Sequence, residues 1–136
     1  MTNEKFQELK KLIEKEIKLD ESNIMEKSIQ LSNLHTKMLQ LYSNELKLLK
    51  NKYHEREKIF GELYEHFRFK SDYSLTTKTE IEPFIKSNDK YYKAALEYSQ
   101  QEVIVKYIEQ TIDQINALGF RIKNYIDLLK IKKGIL

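Results

Sequence analysis

The sequence predicts an all-α protein, and three observations carry that prediction. Helix breakers are scarce: the 136 residues include one proline and three glycines. Charged residues make up 33% of the chain, with Lys, Glu, Leu and Ile prominent, which is the composition of long helices. Apolar residues also recur at three- and four-residue intervals over stretches far longer than a strand. The absence of cysteine excludes disulfide and thiolate chemistry and suits a reducing cytoplasm. The opening "MTNEKFQELKKL" is charged from the outset, and no apolar run reaches membrane-spanning length. A cytoplasmic protein without a membrane partner is therefore expected.

The first element spaces Phe6, Leu9, Ile13 and Ile17 as the inner face of a short amphipathic helix that stops near "DESN". Asn23 followed by Glu26 has capping-box spacing, with Asn in place of the usual Ser or Thr, so Ile24 opens the second helix. Its apolar positions run through Leu31, Leu34, Met38, Leu41, Leu49, Tyr53, Phe60, Leu63 and Phe67 without a proline, giving a helix of some forty residues. The pattern fades from about residue 70 to 87. There "SDYSLTTKTEIEPFIKSND" reads as a connector containing a short strand or an irregular turn. Ser87, Asn88 or Asp89 then caps a third long helix. The expected organisation is one domain: an N-terminal helical region over 1–70, a connector over 71–87 and a C-terminal helix over 88–136.

In the C-terminal helix Val105, Ile108, Ile112, Ile115, Gly119, Ile122, Ile126 and Leu129 alternate steps of three and four. That heptad period argues for coiled-coil packing rather than burial in a globular core. Ile104, Thr111, Leu118 and Tyr125 form a flanking line that widens the seam, so that one helix touches two neighbours and a multi-helix bundle is favoured. Gly119 costs on the order of 1 kcal/mol relative to alanine inside a helix. Two readings of it stand open: close approach of another backbone across the seam, or a glycine tolerated near a kink.

Catalytic signals are poor. Three isolated glycines make no phosphate loop, and "HEREK" at His54 has Lys58 where a zinc-protease helix needs its second histidine. No metal box, cofactor cradle or activated nucleophile emerges, and neither a metal nor a cofactor is expected. The net charge of +3 identifies no partner by itself. Its distribution is more informative. Residues 121–136 hold Arg121, Lys123, Lys130, Lys132 and Lys133 against Asp127. On the second helix, Lys47, Lys50, His54 and Lys58 line one face, with Lys52 and Arg56 as an adjacent line. Aromatic residues interleave with these bases, ending in "FRFK" with Phe67, Arg68, Phe69 and Lys70. Cations that follow a backbone beside rings that stack on bases are what single-stranded nucleic acid requires. The competing reading makes the rings core residues and lets Arg56 snorkel.

"GFRIK" at Gly119–Lys123, set in this helix and followed by a basic tail, together with "KTEIEPFIKSNDKYY" upstream, resembles the UvsY family of phage recombination mediators. The resemblance covers about residues 30 to 133. It implies a non-enzymatic protein in the host cytoplasm that binds single-stranded DNA alongside a single-strand-binding protein and a RecA-like phage recombinase. It also implies assembly through the C-terminal region into a homo-oligomeric ring, a hexamer or heptamer. The seam residues Ile104, Val105, Ile108, Ile112, Ile115, Leu118, Gly119, Ile122, Tyr125, Ile126 and Leu129 would then be the oligomerisation face. The family's basic-x-basic-aliphatic DNA motif falls on Arg56, Glu57, Lys58 and Ile59. Glu57 departs from the family's small residue, and "HFRFKSDY" replaces its Gly/Asp-rich turn. A scaffold in which the charges only solubilise the helices is the alternative.

Overall fold

The computed structural model describes residues 1–19 and 22–134. They form α1 (Asn3–Glu16), α2 (Ile24–Glu65), a π-helical turn (His66–Lys70), α3 (Lys78–Lys86) and α4 (Asp89–Lys132), with no strand among the described residues. The all-α expectation holds. Asp20 and Glu21, within the predicted "DESN" stop, lie outside the described residues, as do Ile135 and Leu136.

Each helix start has a local chemical cause. Thr2 accepts a hydrogen bond from the Lys5 amide at 3.2 Å, satisfying one of the donors that a helix start leaves free. The Asn23 carbonyl accepts the first-turn bond of α2 from the Lys27 amide at 2.8 Å. Asn88, among the three candidates for the last helix, is the cap: its Oδ1 accepts from the amides of Lys90 at 3.0 Å and Tyr91 at 3.3 Å. Gly134, at φ 72, supplies the left-handed residue just past the end of α4.

The connector expectation needs correction. Residues 78–86 are helical, neither strand nor irregular turn. Thr77 Oγ1 accepts from the Glu80 amide at 3.3 Å, and Glu80 reaches back to the Thr76 amide at 3.2 Å, a variant of the capping box. Ile81 and Ile85, one turn apart, are fully buried. Burying each large apolar side chain is worth about 1.5–3 kcal/mol. Together they offset a Pro83 inside the helix, whose usual cost is about 3 kcal/mol.

The chain divides into two compact units. The first comprises Met1–Asn44 and Lys106–Leu136. Its core takes Phe6, Leu9 and Ile13 from α1, Leu31, Leu34 and Met38 from α2, and Ile108, Ile115, Leu118 and Ile122 from α4. Phe6 meets Tyr107 edge-on at 5.4 Å, and Lys27 pairs with Glu16 at 3.5 Å, so α1 is tied to both other helices. Thr111, also buried, donates its hydroxyl to the Tyr107 carbonyl at 2.9 Å.

The second unit, Glu45–Val105, is built on Ile59, Ile81, Ile85, Ala94, Ile104 and Val105. Rings link its helices: Tyr53 to Tyr98 at 6.0 Å, Phe60 to Tyr91 at 6.1 Å and Phe67 to Phe84 at 5.5 Å. Buried Gln101 donates to the Glu45 carboxylate at 2.6 Å and to its carbonyl at 3.0 Å. A paired polar contact of this kind fixes register between two helices that apolar contacts alone would let slide.

Candidate nucleic-acid interface

The seam predicted for contacts between copies is largely used inside the chain. Ile104, Val105, Ile108, Ile115, Leu118 and Ile122 are buried within a single copy. Ile112, Tyr125, Ile126 and Leu129 are half-buried and Gly119 is exposed, so only this remainder faces outward. A heptad period thus serves intrachain helix packing as readily as packing between chains.

The basic stretch of α2 sorts into two faces. At about 100° per residue, Lys47, Lys50, His54 and Lys58 fall within an arc of roughly 80°, and all four are exposed. Lys52 and Arg56 are not the adjacent line expected from the sequence. They lie about 160° round the helix from the middle of that arc. That is the packed side, shared with buried Glu45 and Ile59 and half-buried Phe60 and Leu63.

Arg56 shows what the packed side does to a cation. Its guanidinium carbon sits 4.4 Å from the Tyr98 ring centroid and 5.3 Å from that of Tyr53. Nη2 contacts the Glu57 carboxylate at 3.3 Å, and the buried Nε has no hydrogen-bond partner among the described residues. The Tyr98 phenol is held neutral: its hydrogen bond to Glu102, burial and the Glu102 charge raise its pKa, while Arg56 opposes the rise. The face of the phenol ring carries negative potential, and this holds the guanidinium lying over it.

The π turn completes the outward face. An α-helix continued past Glu65 would carry Lys70 round to the side of Lys52 and Ile59. A π turn uses more residues per revolution, so each step rotates less, and Lys70 stays exposed. Phe67 packs against Phe84, whereas Phe69 stands 70% exposed with the Arg68 guanidinium 5.1 Å from its ring. Ser71 closes the turn by donating to the Phe67 carbonyl at 2.8 Å.

Tyr98 and Glu102 were not singled out by sequence reading as partners of Arg56. The available signal was Arg56 itself, which occupies a position where the apolar period between Tyr53 and Phe60 demands a hydrophobic residue. No group of three or more His, Cys, Asp or Glu residues suited to a metal occurs among the described residues. No helix among them is long and apolar enough to cross a membrane.

Fold and site together define a class: an all-helical protein that offers solvent an extended cationic helix face ending in an exposed ring. The family described as "Recombination, repair and ssDNA binding protein UvsY" matches residues 12–135, and the chain belongs to it. The fold is also that of the bacteriophage T4 recombination mediator protein UvsY in three crystal lattices. The type IV structure superposes with a TM-score of 0.80 at 13% identity, covering 93% of this chain and 98% of that one. Type II gives 0.79 at 17% identity, with 98% of each chain covered. Type I gives 0.74 at 16%, covering 92% of this chain and 98% of that one. No curated protein matches by sequence.

Proposed function

We propose that this chain is a recombination mediator that binds single-stranded DNA as a homo-oligomer, hexamer or heptamer. In this role it promotes loading of a RecA-like recombinase onto single strands covered by a single-strand-binding protein. The observation that carries the reading is the outward face of α2. Lys47, Lys50 and Lys58 project together to solvent, and the π turn extends their line with exposed Phe69 and Lys70. Lysines supply phosphate contacts independent of sequence, and an exposed ring stacks on any base. The face suits a strand whose bases are unpaired and accessible.

In the site so proposed, Lys47, Lys50, Lys58, Arg68, Phe69 and Lys70 meet DNA. Lys52, Arg56 and Phe67 hold the helix in place from its packed side. Assembly uses the part of the α4 seam that one copy leaves uncovered: Ile112, Gly119, Tyr125, Ile126 and Leu129. Fluorescence anisotropy with a labelled single-stranded oligonucleotide over a salt series tests the reading. Log affinity is expected to fall linearly with log salt. Absence of salt-dependent binding would leave a helical scaffold whose charges serve solubility.

A further inference from the structure

In the first unit, α2 and α4 enclose a cleft that the chain itself does not fill. Leu31, Ile115, Gly119 and Ile122 lie in it, with His35 and Lys123 as its titratable groups and no carboxylate among its lining residues. Its volume is about 410 Å³. A dry cavity of about 150 Å³ accommodates benzene, so the cleft has room for a phenyl ring. A Cβ added at Gly119 would meet nothing within 4 Å, so no group of this chain explains the glycine by close approach. Phe120, the next residue, forms one lip of the cleft and is 69% exposed.

We propose that the cleft over Gly119 receives the Phe120 ring of a second copy. This deepens the homo-oligomer reading and rests on it. Three features of the molecule favour a second copy as the occupant. An apolar hole and an exposed apolar ring stand side by side on one chain, so any copy carries the complement of what another lacks. The hole falls on a heptad position of α4, between Ile115 and Ile122, where the seam would otherwise present a side chain. Beyond the cleft the heptad seam runs on along α4 through Tyr125, Ile126 and Leu129, which are half-buried in one copy.

Two variants and their mixture test the pairing, read by sedimentation velocity with circular dichroism as the folding control. Phe120→Ser removes the ring from an exposed position at the lip and leaves the floor of the hole, Leu31, Ile115, Gly119 and Ile122. Gly119→Leu fills the hole, into space that is open in one copy, and leaves the ring. Each alone is expected to keep wild-type helicity and lose assembly. Mixed one to one, they are expected to form a heterodimer, because one intact hole and one intact ring remain. An assembled Phe120→Ser variant would overturn the inference while leaving a homo-oligomer in place. Disassembled single variants that stay monomeric on mixing would also overturn it, since ring and hole would not be partners. A monomeric wild type would overturn the homo-oligomer reading itself.

Discussion

Substituting the two bases of the Arg56–Glu57–Lys58 segment one at a time separates a phosphate ligand from a packing cation. Lys58 is exposed on the arc of Lys47 and Lys50, so Lys58→Ala should remove one phosphate contact and nothing else. Each contact contributes about 0.7 to the log–log salt slope for single strands. Lys47, Lys50, Lys58, Arg68 and Lys70 together give about 3.5 per copy, falling to about 2.8 in the variant. Between 50 and 200 mM salt, that one contact accounts for roughly a threefold difference in affinity. Arg56→Ala should leave the slope unchanged. It removes two cation–π contacts, at 4.4 and 5.3 Å, of about 0.5–1 kcal/mol each. It also removes a buried, unpaired Nε, whose loss offsets part of that cost. The net destabilisation should be on the order of 1 kcal/mol, or a few degrees in melting temperature. Arg56→Lys restores the charge but not the planar stack, so it should not recover the lost stability. Anisotropy over a salt series and thermal melts on all three variants give the answer. If Arg56→Ala lowers the slope as much as Lys58→Ala at unchanged stability, Arg56 is a phosphate ligand and the two-face assignment is wrong.

Phe69→Leu should weaken single-strand binding by about 1–3 kcal/mol at an unchanged salt slope and melting temperature, as expected for one stacked base. Phe67→Leu, against Phe84, should lower the melting temperature and spare binding; the opposite outcome would exchange their roles. Gln101→Leu leaves the buried Glu45 side chain without a 2.6 Å donor and should cost about 1–3 kcal/mol or more in urea denaturation. A neutral effect would mean that the contact contributes nothing to helix register. Burial raises the Tyr107 pKa despite the opposing Thr111 hydrogen bond, and the Glu102 hydrogen bond leads the rise at Tyr98. Both folded values lie above the unfolded one. Their stability is therefore fully present below about pH 10 and is lost as pH climbs through the raised values. Tyr107→Phe should reduce that alkaline loss in melts across this range, and an unchanged pH profile would contradict the shift.

The long helices were legible because their evidence is local. Apolar spacing and Asn23 mark the start of α2, and the run of cap formers Ser87, Asn88 and Asp89 marks that of α4, where the Asn88 side chain is the one that caps. Helix α3 was legible in part. Thr77 and Glu80 carry capping-box spacing and Ile81 and Ile85 share a face, but Pro83 and the helix's short length made the segment read as a connector. The π turn was not legible, since nothing in "HFRFK" distinguishes it from an α turn. At the site, the exposed lysine line followed from spacing alone. The location of Arg56 did not, because its Tyr98 partner is 42 residues away in the chain and belongs to another helix. The i, i+2 relation between Arg56 and Lys58 nevertheless carries the essential geometry: on an α-helix such residues lie roughly 160° apart.

That geometry limits how the cationic segment can work. Two bases separated by one residue cannot both face a strand lying along one side of a helix, so the motif divides its labour. Lys58 meets solvent, and Arg56, clamped over Tyr98 and beside Glu57, joins α2 to α4 and sets the attitude of the lysine face. The division leaves each copy with few phosphate ligands. Under the proposed function, a face of four lysines and Arg68 would hold one strand weakly and lose it readily as salt rises. Linked copies change this arithmetic: once one copy is bound, the others meet the same strand at high effective concentration, and affinity can rise by about 10²–10⁴ without a new kind of contact. Weak individual faces also release singly, so a strand held by many of them can be transferred in steps. In the proposed function, loading a recombinase onto an occupied strand would draw on that combination. On this reading, the glycine in α4 and the lysines on α2 are parts of one device, the first gathering copies and the second giving each a hold it can release.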